Sequence, residues 1–329
     1  MGPGFLLLST NADERAGNDM DKTFMTTSHQ MRQLRSRGLR INGSYAKRIL
    51  EKENYYNLIN GYKPSFIDKS YEGPDERYKA GTEFKEIYAL FLFDRELRSV
   101  FLRYILEIEN NLRSVIAHDF AMKYGHDNYL IVNNFDKTNE SMGDLIDLIS
   151  TLQREVANQI KKKNPMIVHY IRTYGYVPPW VLVNIISLGT LSRIYSHLKQ
   201  KDQNDIGRQF GTIPRDMKIY LKNLSLARNW CAHDERFFDK RFKSKISSNT
   251  IHANLNIQTN QHGHTMGKDD IFSIVIIFKQ FLPNKALNAL ISSLKRLLDQ
   301  LSNNIHTIPI DEIRKKLGFP QNWIQIKSI

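Results

Sequence analysis

The chain has 329 residues, and its 47 Lys and Arg side chains outnumber its 34 Asp and Glu side chains, which gives a formal net charge of +13. Hydrophobic residues make up 41% and charged residues 25% of the chain, a composition typical of folded globular proteins. This basic balance favours polyanionic partners such as nucleic acid or an anionic membrane surface, although plain solubility is an equally simple explanation.

The single cysteine, Cys231, excludes an intrachain disulfide and a zinc site built on thiolates. It also fits a reducing compartment. No apolar run approaches the roughly 20 residues that span a bilayer. The sequence therefore predicts a cytoplasmic protein without a membrane partner.

Taken in chain order, the pattern predicts an all-α protein. Residues 1–28 are polar without periodicity, so we expect a disordered or expression-derived tail. An N-terminal helical segment covers 29–80, with helices at 29–37 and 44–54. A helical core covers 81–243, a polar insertion that forms a loop or small hairpin covers 244–268, and C-terminal helices cover 269–329.

The strongest helical pattern covers residues 84–124, as one helix or as two with a break between them. Apolar side chains recur there at spacings of three and four and form one stripe: Leu97, Phe101, Tyr104, Ile105, Ile108, Leu112, Val115 and Ile116. Thr82 is the predicted N-cap of this helix. Further helices are predicted at 142–162, 180–199, 214–232, 269–280 and 284–302.

Two short segments 115 positions apart carry the same pattern. Residues 112–119 read LRSVIAHD and residues 227–234 read ARNWCAHD, so each has an Arg followed five positions later by a His. Histidine titrates near neutral pH and can move a proton, while arginine can hold two phosphate oxygens. RNA supplies its own nucleophile, the 2′-hydroxyl, so these residue types are sufficient for phosphodiester cleavage without a metal.

The second copy has the more informative geometry. At about 100° per residue, Arg228 lies in the middle of an apolar stripe, whereas Asn229 and His233 share another face. A guanidinium in such a place must pair, face an interface or line a pocket. In the first copy, Arg113 and His118 flank their stripe, and a polar helix edge is the simpler interpretation.

Structural alternatives remain open for both copies. Arg228 would neutralise a buried acid if one lies near it, and the candidates are Asp94, Glu107 and Glu109. His233 would cap the end of its helix, where a cation is favoured. An Arg-to-His spacing of five is also common by chance.

Other clusters carry weaker signals. The histidines of the polar insertion, His252, His262 and His264, are more simply a flexible loop than a metal site. Tyrosines of the 55–62 turn either stack on RNA bases or, more simply, pack the turn; they are Tyr55, Tyr56 and Tyr62. The basic runs at 161–163 and 314–316 are solvated faces that would also suit a phosphate backbone. Glycine-rich phosphate-binding motifs are absent.

Many ordered segments resemble a known bacterial family. They include FKEIYAL at 84–90, FDRELR at 93–98, PPW at 178–180, SLGTLS at 187–192 and LSLARNWCAH at 224–233. Shorter matches lie at 37–41, 54–58, 61–62, 108–109 and 112–114. On these residues the chain resembles the Abi-like (abortive infection, AbiD/AbiF type) family of the HEPN superfamily, with agreement from about residue 30 to 240.

The resemblance implies an HEPN-like helical bundle with accessory N- and C-terminal helices, and a role in phage defence. Its R-x4-6-H motif marks metal-independent ribonucleases that need no cofactor and act as homodimers on RNA. Arg228, Asn229 and His233 match that motif, and Arg113 with His118 gives a possible second one. Asp234 stands where many members carry a second histidine.

The resemblance also implies an antitoxin partner, in some members a small RNA. Within this hypothesis His233 is the general acid or base, Arg228 holds the scissile phosphate and Asn229 orients the site. Products would carry 2′,3′-cyclic phosphate and 5′-hydroxyl ends. The alternative is a non-catalytic RNA- or protein-binding HEPN module that acts as a sensor or scaffold.

Overall fold

The computed structural model describes residues 25–138, 141–261 and 263–329. These residues are almost entirely helical, which confirms the all-α prediction. Their thirteen α-helices are α1 Thr27–Ser36, α2 Gly43–Lys52, α3 Phe84–Tyr124, α4 Met142–Lys161, α5 Pro165–Tyr174, α6 Pro179–Leu182, α7 Leu188–His197, α8 Gln200–Gln209, α9 Pro214–Ala232, α10 Thr250–Asn254, α11 Ile271–Phe281, α12 Asn284–Ser302 and α13 Ile310–Leu317.

The helix α3 runs unbroken for 41 residues because it contains neither Pro nor Gly. Its N-cap is Glu83, whose backbone N–H donates to the side chain of Glu86 at 3.1 Å in a capping box. The predicted N-cap, Thr82, is wrong: its hydroxyl instead donates to the carbonyl of Lys79 at 2.7 Å. The helix ends at Gly125, whose φ of 88° favours glycine.

The prediction of one helix over 180–199 is wrong, because two helices occupy this region. Residues 183–187 separate α6 from α7, and Ser187 is extended with φ −74° and ψ 160°. Its hydroxyl accepts from the backbone N–H of Thr190 at 3.1 Å, so this serine starts a new helix instead of continuing the old one. Three further helices, α5, α8 and α13, were not among the predicted ones.

The predicted tail lies outside the described residues up to position 24, and its last residues belong to α1, which Thr26 caps. Within the predicted polar insertion the structure has the short helix α10 and a hairpin of two strands, β1 Thr259–Asn260 and β2 Gly263–His264. The hairpin agrees with the prediction. The helix α10 is anchored in the core by the buried side chain of Ile251.

Buried apolar side chains form one connected cluster that extends from Met31 to Ile326. The helix α3 is its axis, and α9, α12 and α6 all pack along it, with α7 against α9. This arrangement places the two Arg–His copies on neighbouring helices, α3 and α9. Among the helices described, none is both long and apolar enough to cross a bilayer.

Candidate functional site

The second Arg–His copy lies in the last turns of α9. Proline at its first position starts the helix and His233 is its C-cap, with the His233 backbone N–H donating to the carbonyl of Asn229 at 3.0 Å. Asp234 then takes the left-handed conformation, with φ 55°, and turns the chain away from the helix axis. The side chains of Asn229 and His233 are consequently exposed at the helix end.

Arg228 occupies a half-buried place beside the core. Leu224, Ala227 and Cys231 on the same helix are buried, and burial raises the pKa of the Cys231 thiol to about 12. The Nε atom of Arg228 is buried without a hydrogen-bond partner. Throughout the described part of the chain, its guanidinium has no hydrogen bond and no salt bridge.

The alternative in which Arg228 neutralises a buried acid is therefore wrong. Glu107 is exposed, and the carboxylate of Glu109 pairs with Arg113. Asp94 pairs with Arg98 at 2.9 Å. Each of the two buried acids has its own arginine one turn further along α3.

Asp94 is fully buried and accepts four hydrogen bonds. They come from the hydroxyl of Tyr62 at 2.7 Å, from Arg98 at 2.9 Å, and from the backbone N–H groups of Phe237 and Phe238 at 2.8 Å each. Burial raises the pKa of Asp94, and these hydrogen bonds oppose that rise. The carboxylate thereby joins α3 to the segment that follows α9.

Arg98 completes this connection from the buried face of α3. Besides Asp94, it donates to the carboxylate of Asp234 and, at 3.0 Å, to the carbonyl of Glu235. The chain directly after His233 is therefore fixed to α3. This role of Asp94 and Arg98 was not predicted, although both lie in the FDRELR segment and their spacing of four is typical of a helical ion pair.

Asn229 and His233 are both solvent-facing, and within the described residues neither side chain has a hydrogen-bond partner. Between them, Trp230 packs against the ring of Phe242 at 4.9 Å. The site thus combines an unpaired guanidinium, an amide and an imidazole on one helix end. Arginine can hold a phosphate, and imidazole can transfer a proton.

The first copy lies in the middle of α3, and its side chains have different environments from those of the second copy. Arg113 is 19% exposed in its side chain and donates through Nη2 to the carboxylate of Glu109 and, at 2.9 Å, to the carbonyl of Ile186. It is not on the solvated edge that the sequence predicts, because Glu109 holds it inward. His118 is exposed. Both side chains line a cleft of about 480 Å³ that Trp180 completes.

The tyrosines of the 55–62 turn differ in burial. Tyr62 is buried against Phe91 and Phe238, which supports packing and rules out base stacking at this ring. Tyr55 is half-buried, whereas Tyr56 is 71% exposed.

The structure describes the side chain of one of the three insertion histidines, His252. His252 is buried, and its Nε2 lies 3.0 Å from the carbonyl oxygen of Gly267. His262 lies outside the described residues, and His264 belongs to β2. Where the structure describes the chain, it contains no group of three His, Cys, Asp or Glu side chains that could hold a metal ion.

The two basic runs also differ. Residues 161–163 are exposed, as predicted. In the other run Arg314 pairs with Asp311 at 2.9 Å, and Lys316 is half-buried and donates to the hydroxyl of Ser65 at 2.7 Å. The interpretation of 314–316 as a wholly solvated face is therefore wrong.

Comparison with known proteins identifies a family for this chain. A family model described as Abi-like protein matches residues 48–239, which is more than half of the chain and includes both Arg–His copies. No curated protein and no solved structure matches the chain.

Proposed function

Because the chain belongs to the Abi-like family, which indicates a role in abortive infection, we propose that it is a metal-independent HEPN-type endoribonuclease of phage defence. The observation that carries the proposal is that the last turns of α9 carry both the unpaired guanidinium of Arg228 and the exposed imidazole of His233. A cation held half-buried without a partner is costly unless an anion occupies the site. The scissile phosphate of RNA is the anion that suits the neighbouring imidazole.

Cleavage would proceed by attack of the RNA 2′-hydroxyl on the adjacent phosphorus. The bond between the 2′-oxygen and phosphorus forms, the bond from phosphorus to the 5′-oxygen breaks, and the products are a 2′,3′-cyclic phosphate and a 5′-hydroxyl. Arg228 would balance the charge on the phosphoryl oxygens. Asn229 would hold the nucleotide in place, and His233 would transfer the proton.

The reaction needs one group that accepts the 2′-hydroxyl proton and another that protonates the leaving 5′-oxygen. One His233 side chain supplies one such group. A homodimer in which the ends of two α9 helices face one groove would supply both, and it would bring two Arg228 side chains to the substrate. We therefore propose a homodimer as the active form.

Binding of RNA is supported by the formal net charge of +13. An antitoxin that restrains the enzyme, whether protein or small RNA, would have to cover the α9 end to block the site.

Light scattering at micromolar concentration tests the homodimer and should give twice the chain mass of 38.4 kDa. A monomer under these conditions would contradict the composite site.

A non-catalytic RNA-binding module is the second candidate, and one observation favours it. Asp234, at the position of a second family histidine, pairs with Arg98 and so holds the backbone turn. One imidazole per chain remains at the helix end, and that imidazole would then serve only binding.

The direct test incubates the purified full chain with labelled single-stranded RNA in excess EDTA. We expect cleavage. The 3′ ends of the products should resist ligation until a phosphatase active on cyclic phosphates removes the 2′,3′-cyclic group. Binding without cleavage, both with EDTA and with added Mg²⁺, would favour the module. Cleavage that requires Mg²⁺ would contradict the mechanism.

A further inference from the structure

A cleft between α3 and the start of α6 is separate from the Arg228 site. We call it the Trp180 cleft. Its polar and aromatic lining consists of Asn110, Arg113, Ser114, His118, Trp180 and Asn184. Its volume of about 480 Å³ lies within the roughly 300–1,000 Å³ typical of small-ligand sites. Neither Arg228 nor His233 lines it.

Trp180 is the most unusual side chain of this cleft. It belongs to α6, whose other residues Pro179, Val181 and Leu182 are buried, so the short helix is anchored to the core. The indole itself is 49% exposed. A large aromatic ring on a fixed backbone, with half of its surface open, offers a stacking face without a large entropic cost.

Arg113 lines the cleft, and its guanidinium has N–H donors that are not used by the hydrogen bonds that hold it. Only its Nη2 has partners within the described residues, namely Glu109 and the carbonyl of Ile186, while Nε is buried without one. The carboxylate of Glu109 offsets the positive charge. The cleft therefore offers fixed N–H donors without a net charge from this pair, which favours a neutral ring over a phosphate.

The side-chain amides of Asn184 and Asn110 add hydrogen-bond acceptors to the N–H donors of Arg113. Asn184 donates through Nδ2 to the carbonyl of Trp180 at 2.8 Å, which leaves its Oδ1 as an acceptor. Asn110 is exposed and contributes both a donor and an acceptor. A flat heteroaromatic ring with donors and acceptors on its edges matches this set, and nucleobases have that chemistry.

We propose that the Trp180 cleft binds one unstacked base of single-stranded RNA, with the base stacked on the indole and its edge facing the α3 amide and guanidinium. The inference rests on the proposed function for the identity of the nucleic acid. It adds that substrate is selected by a base that lies away from the scissile phosphate. The first Arg–His copy, Arg113 with His118, then serves recognition.

The test uses the His233→Ala chain, so that RNA stays intact, and four labelled homopolymer pentaribonucleotides. Fluorescence anisotropy gives their affinities. Trp180→Ala should weaken the best-bound pentamer about 5- to 150-fold, the range expected for loss of one base–aromatic stack. Trp180→Phe should retain most of the affinity, because a phenyl ring still stacks.

Two further variants sharpen the comparison. Asn110→Ala should reduce the difference in affinity among the four pentamers, since it removes an edge contact from an exposed position that does not hold the fold. Tyr71→Ala is the matched control, because this ring is also partly exposed, at 39%, but lies in the 68–77 loop. It should bind all four pentamers as the parent chain does.

Intrinsic fluorescence supplies an independent readout. Of the three tryptophans, Trp323 is buried at 3% exposure and Trp230 packs against Phe242, so Trp180 is the most open to a stacked base. Pentamer binding should quench emission in the parent chain. Quenching should disappear in Trp180→Ala.

Equal affinities for Trp180→Ala and Tyr71→Ala would overturn the proposal. So would a Trp180→Ala variant whose mass in light scattering falls from dimer to monomer, because the cleft would then be a protein interface. If the parent chain, with His233 intact, never cleaves RNA but binding still depends on Trp180, this inference holds and the proposed catalysis is refuted. If the parent chain cleaves RNA and the Trp180→Ala variant keeps the same base preference, the proposed catalysis holds and this inference is refuted.

Discussion

The two Arg–His copies have the same spacing and opposite environments. Arg113 is held by Glu109, one turn earlier on α3, whereas the corresponding position before Arg228 is Leu224, and Arg228 is unpaired in the described residues. The residue four positions before each arginine therefore decides whether its charge is used inside the fold or remains for a ligand. The spacing of the motif alone carries no such information.

The two copies also differ after the histidine. His118 lies within α3, which continues to Tyr124, and the following Asp119 pairs with Lys123 at 3.0 Å. His233 ends α9, and the following Asp234 pairs with Arg98 on a different helix. One histidine is thus part of a continuous helix surface, and the other is presented at a helix end that a buried network fixes.

The largest expected difference between the copies is in stability. Arg113→Met should lower the free energy of unfolding by about 3 kcal/mol, because it leaves the buried carboxylate of Glu109 without its cation. Urea denaturation followed by circular dichroism measures this. The double variant Arg113→Met/Glu109→Gln should recover part of the lost free energy of unfolding. An Arg113→Met variant as stable as the parent would mean that the ion pair does not stabilise the fold.

A smaller effect is expected at the turn after His233. Asp234→Asn keeps a residue that tolerates the left-handed φ of 55° and removes the charge that Arg98 binds. The loss should be about 1 kcal/mol, since the Asp234 carboxylate is largely solvated. Thermal and urea unfolding should agree on its size, and a loss as large as that of Arg113→Met would contradict the solvated position.

The smallest effect on stability is expected at the unpaired arginine. Arg228→Met should leave the free energy of unfolding unchanged or raise it by up to about 1 kcal/mol, because it removes an unpaired, half-buried cation and no partner in the described residues loses a hydrogen bond. Urea denaturation alongside Arg113→Met makes the comparison direct. Destabilisation by several kcal/mol would indicate that Arg228 is a structural residue.

Sequence periodicity was sufficient for the long helices. The predicted bounds 84–124, 214–232 and 284–302 match α3, α9 and α12, since each has a continuous apolar stripe and a clear start or stop. Length alone does not explain the missed helices, since α1 and α2 have ten residues each and were predicted. The helix α8 was missed because Ile206 is its single large apolar residue, so its sequence has no apolar stripe. The break at Ser187 depends on a side-chain cap, which competes locally with helix continuation.

The candidate site was predictable only in part. Helical projection placed Arg228 beside apolar residues and Asn229 with His233 on another face, and the structure agrees on both. The projection gave no information on partners across helices. The link from Arg98 to Asp234 spans 136 positions, and the Trp180 cleft joins residues of α3 and α6, so both depend on tertiary packing.

The most direct test of the account compares His233→Ala with His118→Ala in RNA cleavage, each checked for folding by circular dichroism. His233→Ala should lower the cleavage rate by roughly 10²–10⁴-fold, the usual contribution of a positioned proton-transfer group. His118→Ala should cleave at close to the parent rate when RNA is saturating. A folded His233→Ala variant that cleaves RNA as fast as the parent, or an inactive His118→Ala variant beside an active His233→Ala, would contradict it.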